Sequence, residues 1–163
     1  MRIILFGQKW FGEEVLKLAG KAVVGVVGYD GDRLMAAARA RGISALPSDA
    51  VADWPRADLG LAAHYHRRLG PEALGAFKFG VVGYHPSLLP AYPGKMAIEE
   101  AIAAGEKTTG GTLFRLDNGW DTGPVIMQAA CEIRPGESPV ELWRRALAPM
   151  GLDLFRDFLS GYF

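Results

Sequence analysis

Two segments hold side chains able to move protons. The first is Val81-Val82-Gly83-Tyr84-His85-Pro86-Ser87-Leu88-Leu89-Pro90, an apolar run that delivers a histidine against a proline. A histidine at the carboxyl end of a sheet strand sits where open α/β sheets bind ligands. Pro86, Pro90 and Pro93 stiffen the loop after His85, and Gly94 ends it. The second is Leu116-Asp117-Asn118-Gly119-Trp120-Asp121-Thr122-Gly123-Pro124, a turn-rich loop holding two acids. An acid from that loop, brought near His85, would hold the imidazole as a proton donor. The spacing alone leaves two readings side by side: an acid–base pair, or a satisfied structural histidine beside a solvated hairpin turn.

Other constellations are weaker. Gly7 and Gly12 lie five apart with Lys9, Trp10 and Phe11 between them, which is not the GxGxxG of a dinucleotide site, and no GK[ST] phosphate loop occurs. The segment reads as a tight strand-to-helix turn whose aromatics pack on the sheet. His64 and His66 flank Tyr65 and would share one face if the preceding strand continued, which is metal-ligand spacing. No third ligand is in view, so no metal is expected and the pair reads as strand-end histidines. One cysteine, Cys131, allows neither an internal disulfide framework nor a multi-cysteine zinc site. Trp54 and Trp143 are candidates for core or interface, and Trp120, beside Asp121, could equally stack on a ligand.

The hydropathy pattern sets the elements that carry these residues. Unbroken apolar runs at Ile3–Phe6, Ala22–Val27, Asp58–Ala63 and Phe79–Tyr84 read as strands buried on both faces, with a short one at Ile43–Leu46. Helical spacing is expected over Phe11–Leu18, Leu34–Arg41 (stopped by Gly42), Pro71–Phe77 and Met96–Ala104 (stopped by Gly105). A polar stretch fills Pro47–Pro55. Thr109–Leu116 and Val125–Ile133 read as a hairpin around Asp117–Gly123. Ser138-Pro139-Val140-Glu141 is a capping-box pattern opening a last helix, expected to bend near Pro149 and Gly151. Strand and helix alternate first, and a strand pair and helix close the chain. The order predicts an α/β fold, a Rossmann-like open and mainly parallel sheet with helices on both faces.

Composition bounds the partners. The 163 residues are expected to form a single domain, 1–163, and are 50% hydrophobic and 22% charged, the profile of a globular chain. Eighteen basic residues balance eighteen acidic ones, which argues against a surface built for a long nucleic acid. The opening apolar run is too short for a signal peptide, and no stretch approaches the ~20 apolar residues of a membrane span. A cytoplasmic protein with no membrane partner is the expectation.

The histidine and acid segments also carry a resemblance. His85-Pro86-Ser87-Leu88-Leu89-Pro90, the PxYxG of Pro90 to Gly94, Ala97-Ile98, Thr109-Gly110 and Asp121-Thr122-Gly123-Pro124 resemble the formyltetrahydrofolate-dependent formyltransferases, from Met1 to about Phe158. That family's members pass a formyl group from 10-formyltetrahydrofolate to methionyl-tRNA, glycinamide ribonucleotide or amino sugars, and one relative passes it to water. The family's catalytic trio is an Asn-x-His plus a distant Asp. His85 and Asp121 match the last two, and Gly83 stands at the asparagine position. The likeness is greatest to the hydrolase domain of formyltetrahydrofolate dehydrogenase, where an aliphatic residue replaces the asparagine. Gly7-Gln8-Lys9-Trp10-Phe11-Gly12-Glu13-Glu14-Val15 is similar to its opening, and Ala146 to Gly151 to its final helix. Purine-pathway transferases have a Ser- and Gly-rich phosphate loop where this chain has bulky residues, and tRNA transferases carry a further C-terminal domain.

The resemblance implies attack on the N10-formyl carbon, a tetrahedral oxyanion and loss of tetrahydrofolate. His85 would stabilise the oxyanion or protonate the departing nitrogen. Asp121 would keep His85 protonated, align the nucleophile and, with water attacking, act as general base. It also implies a small-molecule folate partner whose pterin lies against Leu61, Ala62, Ala63, Tyr84, Pro86, Ser87, Leu88, Gly119, Trp120 and Thr122. Gly83 marks a hydrolase in this reading. The alternatives are transfer to a small amine and a non-catalytic folate-binding protein.

Overall fold

The computed structural model describes residues 1–46 and 51–162. Part of the polar stretch expected at Pro47–Pro55 lies outside the described residues. The strands are β1 (Ile3–Gly7), β2 (Val23–Val27), β3 (Ser44–Leu46), β4 (Leu59–Ala63), β5 (Val81–His85), β6 (Thr108–Arg115) and β7 (Val125–Glu132). The helices are α1 (Lys9–Ala19), α2 (Arg33–Ala40), α3 (Pro71–Gly75), α4 (Ala97–Ala103), α5 (Pro139–Leu142) and α6 (Ala148–Ser160), with a π-helical turn at Trp143–Leu147 joining the last two. Strand order is β3-β2-β1-β4-β5-β6-β7 in an open sheet. β1 to β5 are linked by parallel pairs, while β6 and β7 are antiparallel. This is the mainly parallel α/β fold that the alternation of runs predicts. Contacts group the chain into two compact units, Met1–Gly83 with Tyr162, and Tyr84–Gly161.

In the first unit every residue of β1 and β4 is buried, as strands covered on both faces require. α1 closes on them with Phe11, Val15, Leu16 and Ala19. The turn between β1 and α1 needs glycine because of a close approach. A Cβ on Gly7 would stand 2.7 Å from the Ala63 carbonyl oxygen. Of the aromatics in that turn Phe11 is buried, but Trp10 is 42% exposed, so the expectation that both pack on the sheet holds only for Phe11. Trp10 lies one position away on the helix, off the buried face. β4 stops at Ala63 and does not continue through His66, because His64 takes a left-handed backbone, φ 59°. The two imidazoles still meet, with ring centroids 4.7 Å apart. Among the described residues no cluster of three or more His, Cys, Asp or Glu could hold a metal ion.

β5 begins at Val81, after Gly80 turns the chain at φ 69°, and runs through His85 rather than stopping before it. In the second unit β6 is buried along most of its length, while β7 alternates between exposed and half-buried residues. Their register sets Thr112 opposite Gln128. The capping box at Ser138 and Glu141 is formed in both directions. The last helix departs from regularity at Trp143–Leu147, just before Pro149, where a bend is expected. The backbone stays helical from that turn into α6, so Pro149, which has no N–H to give the ladder, follows just after it, and Gly151 is buried inside α6. Ala101, Ile133, Leu142 and Leu147 form a core beneath this segment. No helix among the described residues is long and apolar enough to cross a membrane.

Candidate functional site

His85 ends β5 and is buried, and both ring nitrogens are met by oxygen. Nε2 lies 2.8 Å from the Tyr92 carbonyl oxygen. Nδ1 lies 3.4 Å from Asp121 Oδ2. A carbonyl and a carboxylate are both acceptors. A neutral imidazole has one N–H and one lone pair, so either tautomer would set a lone pair against an oxygen, whereas the imidazolium offers an N–H to each. The Tyr92 contact is a full hydrogen bond. The Asp121 contact is an ion-pair distance, longer than a hydrogen bond.

The chain between His85 and Gly94 fixes this geometry from both ends. Tyr92 supplies the carbonyl, and the Gly94 N–H donates to the same Oδ2 of Asp121 at 2.7 Å. Tyr92 and Asp121 both adopt left-handed backbone conformations, φ 52° and 55°. Such conformations in non-glycine residues cost energy and gather at functional sites. Here the two that touch His85 are the only non-glycine examples in the second unit's described residues. The Asp121 loop is shaped by Asp117, whose Oδ1 accepts the Gly119 N–H at 2.9 Å and the Thr122 hydroxyl at 2.8 Å. Of the loop's two acids, Asp121 faces His85 and Asp117 holds the turn.

The remaining residues expected at the site separate. Tyr84, Pro86 and Leu88 are half-buried, and Gly119, Trp120 and Thr122 are exposed, Trp120 by 52%. Several polar groups are committed inside the protein. The Tyr84 hydroxyl donates to the Leu147 carbonyl at 2.7 Å, and the fully buried Ser87 hydroxyl donates to the Ala91 carbonyl at 2.6 Å. The Gly119 N–H and Thr122 hydroxyl are taken by Asp117, and Trp120 is the exposed aromatic residue of that loop. Leu61, Ala62, Ala63 and Gly83 belong to the first unit and are buried, with Gly83 paired to Ala62 across β4 and β5. Alternation along β5 aims positions 83 and 85 to the same face of the strand.

Sequence reasoning did not assign roles to Tyr92, Thr112 or Gln128, and gave Gly94 only the end of the loop. Tyr92 and Gly94 act through backbone groups, which leave no side-chain signal, although both lie within the PxYxG pattern. Thr112 is fully buried, and a polar residue at a buried strand position is the signal that could have exposed it.

Comparison with known proteins identifies the family. A family model described as formyl transferase matches residues 31–151. Human cytosolic 10-formyltetrahydrofolate dehydrogenase is 33% identical over 93% of this chain and 19% of its own length. Methionyl-tRNA formyltransferase of Anaeromyxobacter sp. (strain K) is 36% identical over 93% of this chain and 55% of its own length. The chain thus spans about a fifth of the one relative and about half of the other. Among solved structures, glycinamide ribonucleotide transformylase 1 from Geobacillus kaustophilus superposes with a TM-score of 0.83 at 30% identity, covering 99% of this chain and 97% of that one. The chain belongs to the formyl transferase family.

Proposed function

We propose that this chain acts on 10-formyltetrahydrofolate and passes its formyl group to water. The observation that carries the reading is the buried His85, held between the Tyr92 carbonyl and Asp121. In this mechanism a water oxygen attacks the formyl carbon and gives a proton to Asp121. The C=O electrons collect on the formyl oxygen as an alkoxide. The alkoxide then collapses, the C–N10 bond breaks, and N10 leaves with the Nδ1 proton of His85. Formic acid, which ionises to formate and a proton in water, and tetrahydrofolate are the products. Asp121 returns its proton to His85 across the 3.4 Å gap, which restores the starting state.

Gly83 supports water as the acceptor. An asparagine amide at that position would be an oxyanion donor, and losing one such donor costs about 100- to 1,000-fold in turnover. Glycine brings no such donor, so an ordered water would replace the amide or serve as nucleophile. The pterin would stack on the exposed Trp120, beside the catalytic acid.

A second reading, transfer to a small amine, is favoured by the formyl transferase match and by the 36% identity to a methionyl-tRNA formyltransferase. Retention of both His85 and Asp121 weighs against a folate-binding protein without activity. The test is to follow formate and formylated amine together while candidate amines are titrated in. Hydrolysis predicts formate at a constant rate. An amine that diverts the formyl group and accelerates tetrahydrofolate release would establish transfer instead.

A further inference from the structure

We propose that Thr112 and Gln128 are positioning residues that set the His85–Asp121 pair by clamping the loop between His85 and Gly94. The inference rests on the reading of His85 as the reacting group. Neither residue lies in that loop or in the Asp121 turn. They sit opposite each other on β6 and β7, and the antiparallel register makes them neighbours.

The hydrogen atoms at this junction are fully accounted for. The Thr112 hydroxyl donates its one proton to the Ser87 carbonyl at 2.6 Å. Its two lone pairs accept the Leu89 N–H at 3.1 Å and one Gln128 amide hydrogen at 2.9 Å. The other Gln128 amide hydrogen goes to the Leu89 carbonyl at 2.8 Å. Both backbone groups of Leu89 and the carbonyl of Ser87 are therefore fixed by two side chains, with no capacity left over on either donor nitrogen or hydroxyl. The clamp grips the middle of a segment whose first residue is His85 and whose far end supplies the Tyr92 carbonyl and the Gly94 N–H. Release at Leu89 would free both contacts at once. Acid–base geometry tolerates little such slack, because a displacement near 1 Å can cost about 100-fold in rate.

The two positions differ usefully in burial. Thr112 is fully buried, so its loss also touches the core, whereas Gln128 is an exposed residue whose replacement opens no cavity. Gln128→Glu keeps size and shape but cannot donate, and so removes both amide bonds. Thr112→Val removes the hydroxyl at equal volume, and Thr112→Ser restores it.

The experiment is nuclear magnetic resonance of the 15N-histidine-labelled full chain, with the His85 signals assigned from their loss in His85→Asn. The readout is water exchange of the Nε2 proton bonded to Tyr92. The expected result is exchange at least tenfold faster in Gln128→Glu and Thr112→Val than in the parent, with Thr112→Ser returning to the parent rate. Unchanged exchange in folded Gln128→Glu overturns the proposal even if Thr112→Val fails to fold. This readout needs no turnover, so it stands apart from the hydrolase reading. With turnover in hand, Gln128→Glu should lower kcat about 10- to 100-fold at constant KM for the folate. A change in KM alone would contradict the positioning role.

Discussion

The Tyr84 hydroxyl donates to the carbonyl of Leu147, the last residue of the π-helical turn between α5 and α6. A π turn shifts the regular ladder and presents backbone groups to partners outside the helix. Tyr84 precedes His85 on β5, so this bond anchors the strand end that carries the imidazole. Burial pushes the Tyr84 phenol far above its usual range, which keeps it a donor at every pH of interest. Tyr84→Phe should lower stability by about 1–2 kcal/mol, through the unpaired carbonyl, and Tm by a few degrees. Gly111→Ala should be at least as harmful, since its Cβ would run into the Tyr84 hydroxyl. Thermal unfolding of both variants checks this.

Asp121→Asn separates charge from shape. Asparagine tolerates the left-handed backbone of this position and can still accept the Gly94 N–H, so the fold should survive. Without the carboxylate, His85 loses its anionic partner and the water loses its base. Turnover should fall about 100- to 10,000-fold while thermal stability stays near that of the parent. Steady-state rates beside a melting curve give the answer, and a large drop in stability with little loss of rate would contradict the assignment.

Position 83 should govern the acceptor. Gly83→Asn places an amide on the His85 face of β5 and is expected to reduce water-dependent turnover and raise transfer to added amines. If formate release is unchanged and no formylated amine appears, position 83 is not the determinant.

His64 gives the fold a dependence on pH. Burial, with smaller contributions from His66 and Lys9, lowers its imidazole from 6.5 to about 4. The unfolded chain then takes up a proton near pH 6.5 that the folded chain refuses until about pH 4. Stability from this group is complete above 6.5 and is lost as the pH falls through that window. His64→Asn accepts the left-handed backbone and removes the titration. Denaturant unfolding at several pH values should show a shallower decline below neutrality for the variant than for the parent.

Much of this arrangement is written in residue order. The apolar runs β1, β2 and β4 are buried almost throughout, and that pattern alone announces a parallel sheet. His85 and Asp121 stand out because a strand end and a turn-rich loop each hold one group able to move protons. The missing pieces are those whose function is carried by backbone. Neither the Tyr92 carbonyl nor the Gly94 N–H has a side chain to advertise it, and left-handed φ at Tyr92 cannot be read from a tyrosine. The Thr112–Gln128 clamp depends on strand register, which period-2 patterning leaves free by whole steps of two. The irregular turn at Trp143–Leu147 falls just before Pro149, whose missing N–H would have bonded back into that turn, so the disturbance lies on the N-terminal side of the proline.

The decisive measurement is turnover of 10-formyltetrahydrofolate by the purified protein with no amine present, beside His85→Ala and Asp121→Ala. The expected result is stoichiometric release of tetrahydrofolate and formate by the parent, and loss of that release in both variants. Absence of turnover and of folate binding in the parent, or turnover that survives either substitution, would contradict the assignment of His85 and Asp121 as the reacting pair.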